Sequence, residues 1–269
     1  MRTAVIVTTY NRPDALAAAL DGYCAQDNPT FELLVADDGS REDTRALVAA
    51  YASRAPFPLK HVWQEDRGFR PGAARNRALA EADADYVIFS DGDCVPPPAF
   101  VSRHAALAEA GAFLAGNRIL LSETFTRKVL ERRLPIHAWS TAPWLLAWVR
   151  RDVNRALPLL RIPGDAWRNA APRRWEGVKT CNFSAWRADL VRANGFDERY
   201  SGWGLEDSDL VIRLLHAGVR HKSARLGVPV FHLWHPEHDR SLLAGNRIRL
   251  DEILASDRVA ALEGLDRYS

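Results

Sequence analysis

The segment Tyr86-Val87-Ile88-Phe89-Ser90-Asp91-Gly92-Asp93 is an apolar strand that stops on two carboxylates one residue apart. Asp-Gly after a strand ordinarily begins a hairpin. Here Pro96, Pro97 and Pro98 follow, and proline cannot donate to a sheet ladder. The acids are therefore expected at the carboxyl edge of a sheet with no local return strand, where open α/β folds bind ligands. Carboxylates held together repel, and a divalent cation is the usual compensation; a solvated turn is the plain alternative.

Two more strand ends are polar. Thr8-Thr9-Tyr10-Asn11-Arg12 closes the first strand and Asp37-Asp38-Gly39-Ser40 the second, so in a parallel sheet both share an edge with Asp91 and Asp93. Aspartate accepts from a nucleobase imide or a ribose hydroxyl, and a tyrosine ring can stack on a base. Helix capping by Asn11, Asp38 and Ser40 is the bland reading. Gly68-Phe69-Arg70-Pro71-Gly72-Ala73-Ala74-Arg75-Asn76 opens a helix, and its small residues and arginines suit a diphosphate.

In the second half, Gly202-Trp203-Gly204-Leu205-Glu206-Asp207-Ser208-Asp209 joins an indole to a row of carboxylates. The indole offers a flat platform to a sugar ring; a carboxylate accepts hydroxyls or serves as general base. Helix capping by Asp207 is the alternative. Phe231-His232-Leu233-Trp234-His235-Pro236 ends a strand, and imidazole near carboxylates favours Mn2+ over Ca2+ or Mg2+. A continuing strand would send His232 and His235 to opposite faces, so one ligand is expected, with His232 narrowly preferred.

The elements that must hold these groups alternate. Strands are expected at Thr3–Thr9, Phe31–Ala36, Leu59–Trp63 and Tyr86–Ser90, with helices at Pro13–Tyr23, Glu42–Tyr51 and Pro71–Glu81 between them. Ser40 with Asp43 reads as the start of the second helix. This predicts an α/β fold with a mostly parallel central sheet flanked by helices. After Ala112–Leu121 the character changes: 123–175 carries five tryptophans and eleven basic residues against four acids. Such a basic, Trp-rich and largely helical insertion suits an anionic membrane surface through Pro143–Arg151, or a lid over the acceptor site. Alternation resumes with a strand at Asn182–Trp186, helices near Ala188–Asn194 and at Asp207–Ala217, a strand at Pro229–Trp234 and a terminal helix at Asn246–Leu262.

Composition narrows the classes. With 36 basic and 34 acidic residues in 269, the chain is no general polyanion binder, and the strand-edge acids would repel nucleic acid. Neither a Gly-x-Gly-x-x-Gly after the first strand nor a Walker loop is present, which disfavours dinucleotide oxidoreductases and P-loop enzymes. Three cysteines without metal-ligand spacing, no secretory signal and no long apolar run predict a cytoplasmic protein, peripheral at most on the inner face of the membrane.

In order and spacing, Thr8–Arg12, Asp37–Ser40, Ala74-Arg75-Asn76 and Asp91–Asp93 resemble the nucleotide-sugar half of family-2-type inverting glycosyltransferases of the GT-A fold. Gly202–Asp209 is similar to the acceptor motif of β-1,4-galactosyltransferases and chondroitin-polymerase-like enzymes. The resemblance implies one GT-A (nucleotide-diphospho-sugar transferase) domain over 1–269. Its parts would be a donor half 1–121, the insertion 122–177, an acceptor and catalytic half 178–240 and a C-terminal helix in 241–269. It further implies that Thr8, Tyr10 and Asp38 hold the nucleoside, Arg75 faces the diphosphate and Asp91 contacts ribose or metal. Asp93 would be the principal ligand of Mn2+ or Mg2+, with His232 or His235 completing the shell. Asp207 would be the general base, and Trp203 and Glu206 would bind the acceptor. The expected activity is metal-dependent inverting transfer from a nucleoside-diphosphate sugar, with UDP the expected nucleotide, to a glycan or lipid-linked glycan, in bacterial surface polysaccharide or lipopolysaccharide synthesis. Rival readings are a nucleotidyl-transferring or sugar-nucleotide-binding enzyme without a glycan acceptor, and a membrane-surface module.

Overall fold

Alternation along the first strand sets the layering. In β1 (Thr3–Thr9), Ala4 and Ile6 enter one apolar cluster while Val5 and Val7 enter another, so both faces of the sheet are covered. The computed structural model describes residues 1–237 and 239–268. The first half continues with α1 (Pro13–Cys24), β2 (Glu32–Asp37), α2 (Glu42–Ala52), β3 (Leu59–Trp63), α3 (Pro71–Glu81) and β4 (Tyr86–Asp91). Then come β5 (Cys94–Val95), α4 (Phe100–Leu107), β6 (Ala112–Leu120), α5 (Glu123–Glu131) and α6 (Thr141–Val149). The chain ends with β7 (Asn182–Trp186), α7 (Arg187–Arg192), α8 (Glu206–His216), β8 (Arg220–His232) and α9 (Leu243–Leu254).

The strands form one sheet in the order β3-β2-β1-β4-β7-β6-β8-β5. The first four are parallel, as expected. The second half is mixed: β7 runs against β4 and β6, whereas β8 is parallel to β6. α3, α7 and α8 cover one face, α1, α2 and α4 the other. Asn76 of α3 clamps the two halves together, bonding the backbone of Phe196 in both directions at 2.8 Å.

Three expectations need correction. The Asp-Gly turn is followed by a short strand after all: β5 pairs with Phe231 and His232 of β8 rather than folding back on β4. β8 begins at Arg220, not Pro229; its first stretch was hidden by polar residues such as Lys222, which is buried against Glu109 and Asp165. The C-terminal helix spans only Leu243–Leu254, because the chain then turns and docks Ala261 and Leu265 on the backbone of Ala193 and Asn194.

The insertion forms α5, α6 and three 3-10 turns. It is anchored by Trp144, which stacks on Phe231 with ring centroids 3.8 Å apart. Among the described residues no helix is long and apolar enough to cross a membrane.

Candidate active site

The carboxyl ends of β1, β2 and β4 lie in register, Thr9 beside Asp37 and Thr8 beside Asp91. Gly92 lets this edge close up: its N–H bonds Thr8 O at 2.7 Å, and a β-carbon there would stand 3.1 Å from the Thr9 side chain. Facing that edge, a cavity of about 580 Å³ opens. Its wall includes Thr8, Tyr10, Asp38, Arg75 and Asp91 from the first half together with Asp93. Trp203, Glu206, Asp207, His232 and His235 complete it from the second half. The eleven residues to which the resemblance gives roles thus converge on one cleft. No residue of 123–175 lines it among those described.

Arg75 occupies the centre. Its guanidinium meets Asp91 at 3.1 Å, Glu206 at 3.2 Å and Asp207 at 3.6 Å, and its Nε donates to Thr8 Oγ1 at 3.0 Å. The expectation that Arg75 faces a diphosphate meets a guanidinium already committed to carboxylates from both halves. Three acids share one cation in a buried place. Burial, with Asp93 and Asp207 adding repulsion against the pull of Arg75, pushes Asp91 up to about 6. Burial and the neighbouring Asp207 push Glu206 up to about 7.

Asp207 does not cap α8. The cap position is Leu205, held at φ 80°, a conformation costly for a branched residue, and no side chain caps the helix. Gly202 and Gly204 precede it at φ 69° and 100°, so this turn needs glycines to aim the acids inward. Asp207 instead accepts from Thr180 Oγ1 at 2.5 Å and Thr180 N at 3.3 Å. Asp209, from the same motif, points away into a fully buried pair with Arg213 at 2.6 Å. Trp203 lies on the cavity wall with the guanidinium of Arg240 over its ring at 4.6 Å.

On the nucleoside side, Asp38 accepts from Gln64 Nε2 and Arg70 N, both at 2.6 Å, and Tyr10 donates to Asp66 at 2.9 Å. Burial raises Asp38 above the ordinary carboxylate range. Ser40 does not cap α2; its hydroxyl accepts from Asn11 N at 2.8 Å, which ties the first two strand ends together.

The imidazoles correct the opposite-face expectation. β8 stops at His232, and the chain turns so that His232 and His235 both reach Asp93 Oδ2, at 3.7 Å and 3.5 Å. Two ligands each about 2.0–2.2 Å from a common ion stand roughly this far apart. His235 Nδ1 lies 2.7 Å from Pro236 O, a contact that favours the proton on Nδ1 and turns Nε2 toward Asp93. Burial shifts His232 downward, toward the neutral form that a ligand requires. This oxygen and nitrogen set suits Mn2+ better than Mg2+, and Cys94 adds a thiol within 4.8 Å of Asp93 and His232. Thr126 of α5 accepts from Trp234 N at 2.8 Å, so the insertion props the loop between the imidazoles.

Sequence reasoning missed Thr180, Thr126 and Cys94. Thr180 becomes visible only once β7 is seen to run antiparallel to β4, which brings the residues before it to the edge where β4 ends.

Comparison with known proteins agrees. Residues 4–158 match the family model described as glycosyl transferase family 2. The chain belongs to this family. In this family 2 chain, residues 168–238 match a second model, the N-terminal domain of galactosyltransferase. It is 32% identical over 234 residues to validoxylamine A glucosyltransferase of Streptomyces hygroscopicus subsp. limoneus, covering 80% of this chain and 48% of the relative. It is 27% identical over 268 residues to chondroitin synthase of Escherichia coli, covering 91% and 37%. The chain thus spans half or less of the length of these relatives. The solved structure of S. aureus TarS 1-349 in complex with UDP superposes with TM-score 0.61 at 17% identity, covering 100% of this chain and 68% of that one. The mannosyltransferase PcManGT from Pyrobaculum calidifontis gives 0.59 at 21%, covering 95% and 62%. The fold is GT-A, as the family and these neighbours share it.

Proposed function

We propose that this family 2 chain transfers a sugar from a nucleoside diphosphate, taken as uridine-linked, to a hydroxyl of a glycan or lipid-linked glycan with inversion. The observation that carries this reading is the convergence of Asp93, His232 and His235 with Asp207 on one cavity. Thr8, Tyr10, Asp38 and Asp91 would hold the nucleotide, Trp203 and Glu206 the acceptor. Arg75 would orient the acids of both halves. Asp93, His232 and His235 would hold Mn2+ or Mg2+, which when bound offsets charge on the leaving diphosphate. Asp207, oriented by Thr180, takes the proton of the acceptor hydroxyl as the acceptor oxygen attacks the anomeric carbon and the bond from that carbon to the diphosphate oxygen breaks. General-base help of this kind is worth roughly 10²–10⁴ in rate. The relatives' names, a glucosyltransferase and a chondroitin synthase, support a glycosylated product. A donor panel with Mn2+ and an added sugar acceptor tests this; hydrolysis or nucleotidyl transfer without glycosylated product would reject it.

The insertion fits an anionic membrane surface, such as the inner face of the cytoplasmic membrane. Leu145, Leu146, Trp148 and Val149 of α6 are exposed, 46–71%, next to Arg150 and Arg151. Cosedimentation with anionic liposomes, lost on reversing the charge of Arg150 and Arg151, is the expected result; equal pelleting of both proteins would remove this surface from the account.

A further inference from the structure

Five arginine or lysine side chains line the cavity: Arg12, Arg75, Arg118, Lys179 and Arg240. Three are spent. Arg12 pairs with Asp14, Arg75 with three carboxylates, and Arg240 with Glu237 while covering Trp203. Among the described residues the side chains of Arg118 and Lys179 make neither an ion pair nor a hydrogen bond. Both are half-buried rather than free in solvent.

Their placement follows from local structure. On β6, Ile119 enters the apolar cluster that anchors the insertion, so alternation turns its neighbours Arg118 and Leu120 to the opposite face, where both line the cavity. Asp91 and Asp93 act on Arg118 through space without pairing with it. Lys179 precedes Thr180, the residue that orients Asp207. The two cations therefore stand one beside the proposed metal ligands and one beside the proposed base. A charged side chain partly withdrawn from water and held in no direct ion pair is poised for an anionic ligand.

We infer that Arg118 and Lys179 form an anion-binding subsite that receives a phosphate or carboxylate group of a substrate between Asp93 and Asp207. The inference rests on the transferase reading for the name of that substrate. The group is either the diphosphate of the donor, for which Arg75 is not free, or an acidic substituent of the acceptor.

The test uses Arg118→Gln, Lys179→Gln and the double variant. Each should melt as wild type does, since neither side chain holds a partner. Calorimetry with inorganic pyrophosphate and with UDP plus Mn2+ reads the donor source, where about a tenfold or larger loss of affinity is expected. Transfer to a neutral and to a carboxylate-bearing oligosaccharide reads the acceptor source, where KM rises at least tenfold for the charged acceptor alone. A loss in either arm supports the subsite and names its ligand. Unchanged values in both arms overturn it. A wild type that binds pyrophosphate through these side chains yet transfers no sugar keeps the subsite and rejects the transferase reading.

Discussion

Arg75 of α3 and Glu206 of α8, 131 positions apart, meet at 3.2 Å in the centre of the cleft. Through this contact the helix that follows the donor-side strands and the helix that carries the acceptor-side acids share one charge. With Asp91 and Asp207 on the same guanidinium, the two halves of the active site are electrostatically one unit.

That crowding makes stability depend on pH. Glu206 rises from 4.5 to about 7 in the folded protein, chiefly by burial. Between these values the unfolded chain releases a proton that the folded chain keeps, so folding stability falls as pH rises through the window and stays lower above it. Glu206→Gln removes the effect. Urea titrations in metal-free buffer at pH 5 and pH 8 should show wild type losing on the order of 1–3 kcal/mol more than the variant. Parallel losses would refute the assignment.

Asp207 and Asp209 are separated by one residue but do different work. Asp207→Asn should melt like wild type, bind UDP normally and lose roughly 10²–10⁴ in transfer rate. Asp209→Ala strips the partner from the buried Arg213 and should cost about 3–5 kcal/mol of stability. If the two variants exchanged these phenotypes, the motif would have been divided wrongly.

Thr126 lies in the insertion, outside the cavity wall, yet it holds the loop bearing His235 through Trp234 N. Replacing it with Val removes that acceptor. Mn2+ affinity should fall about 10- to 100-fold, as for other supports of a metal ligand. Affinity equal to wild type would show that the loop holds without this bond.

The turn before α8 is strained by design of its backbone, not by crowding. At Gly204, φ 100°, an added β-carbon meets nothing closer than Leu243 Cδ1 at 3.5 Å. Gly204→Ala should therefore cost about 1 kcal/mol or more through its φ alone. The melting temperature reads this cost, and no shift would mean the turn relaxes freely.

Much of this was legible in the sequence because it was local. Strand ends carrying Thr8, Asp38, Asp91 and Asp93 are marked by apolar runs that stop on polar residues, and parallel pairing forces such ends to one edge. What was hidden depends on long-range geometry. The termination of β8 at His232, which lets both imidazoles face Asp93, is set by pairing with β5 and by Thr126. The commitment of Arg75 to Glu206 and Asp207 required α3 and α8 to be placed side by side. Polar β8 residues such as Lys222 masked a strand whose charges are satisfied by Glu109 and Asp165.

Calorimetric titration of UDP in Mn2+ and in chelator, for wild type and Asp93→Ala, tests the shared cation and nucleotide cleft most directly. The expected result is binding that needs Mn2+ in the wild type and is lost in the variant. Equal UDP affinity in all these conditions would contradict it.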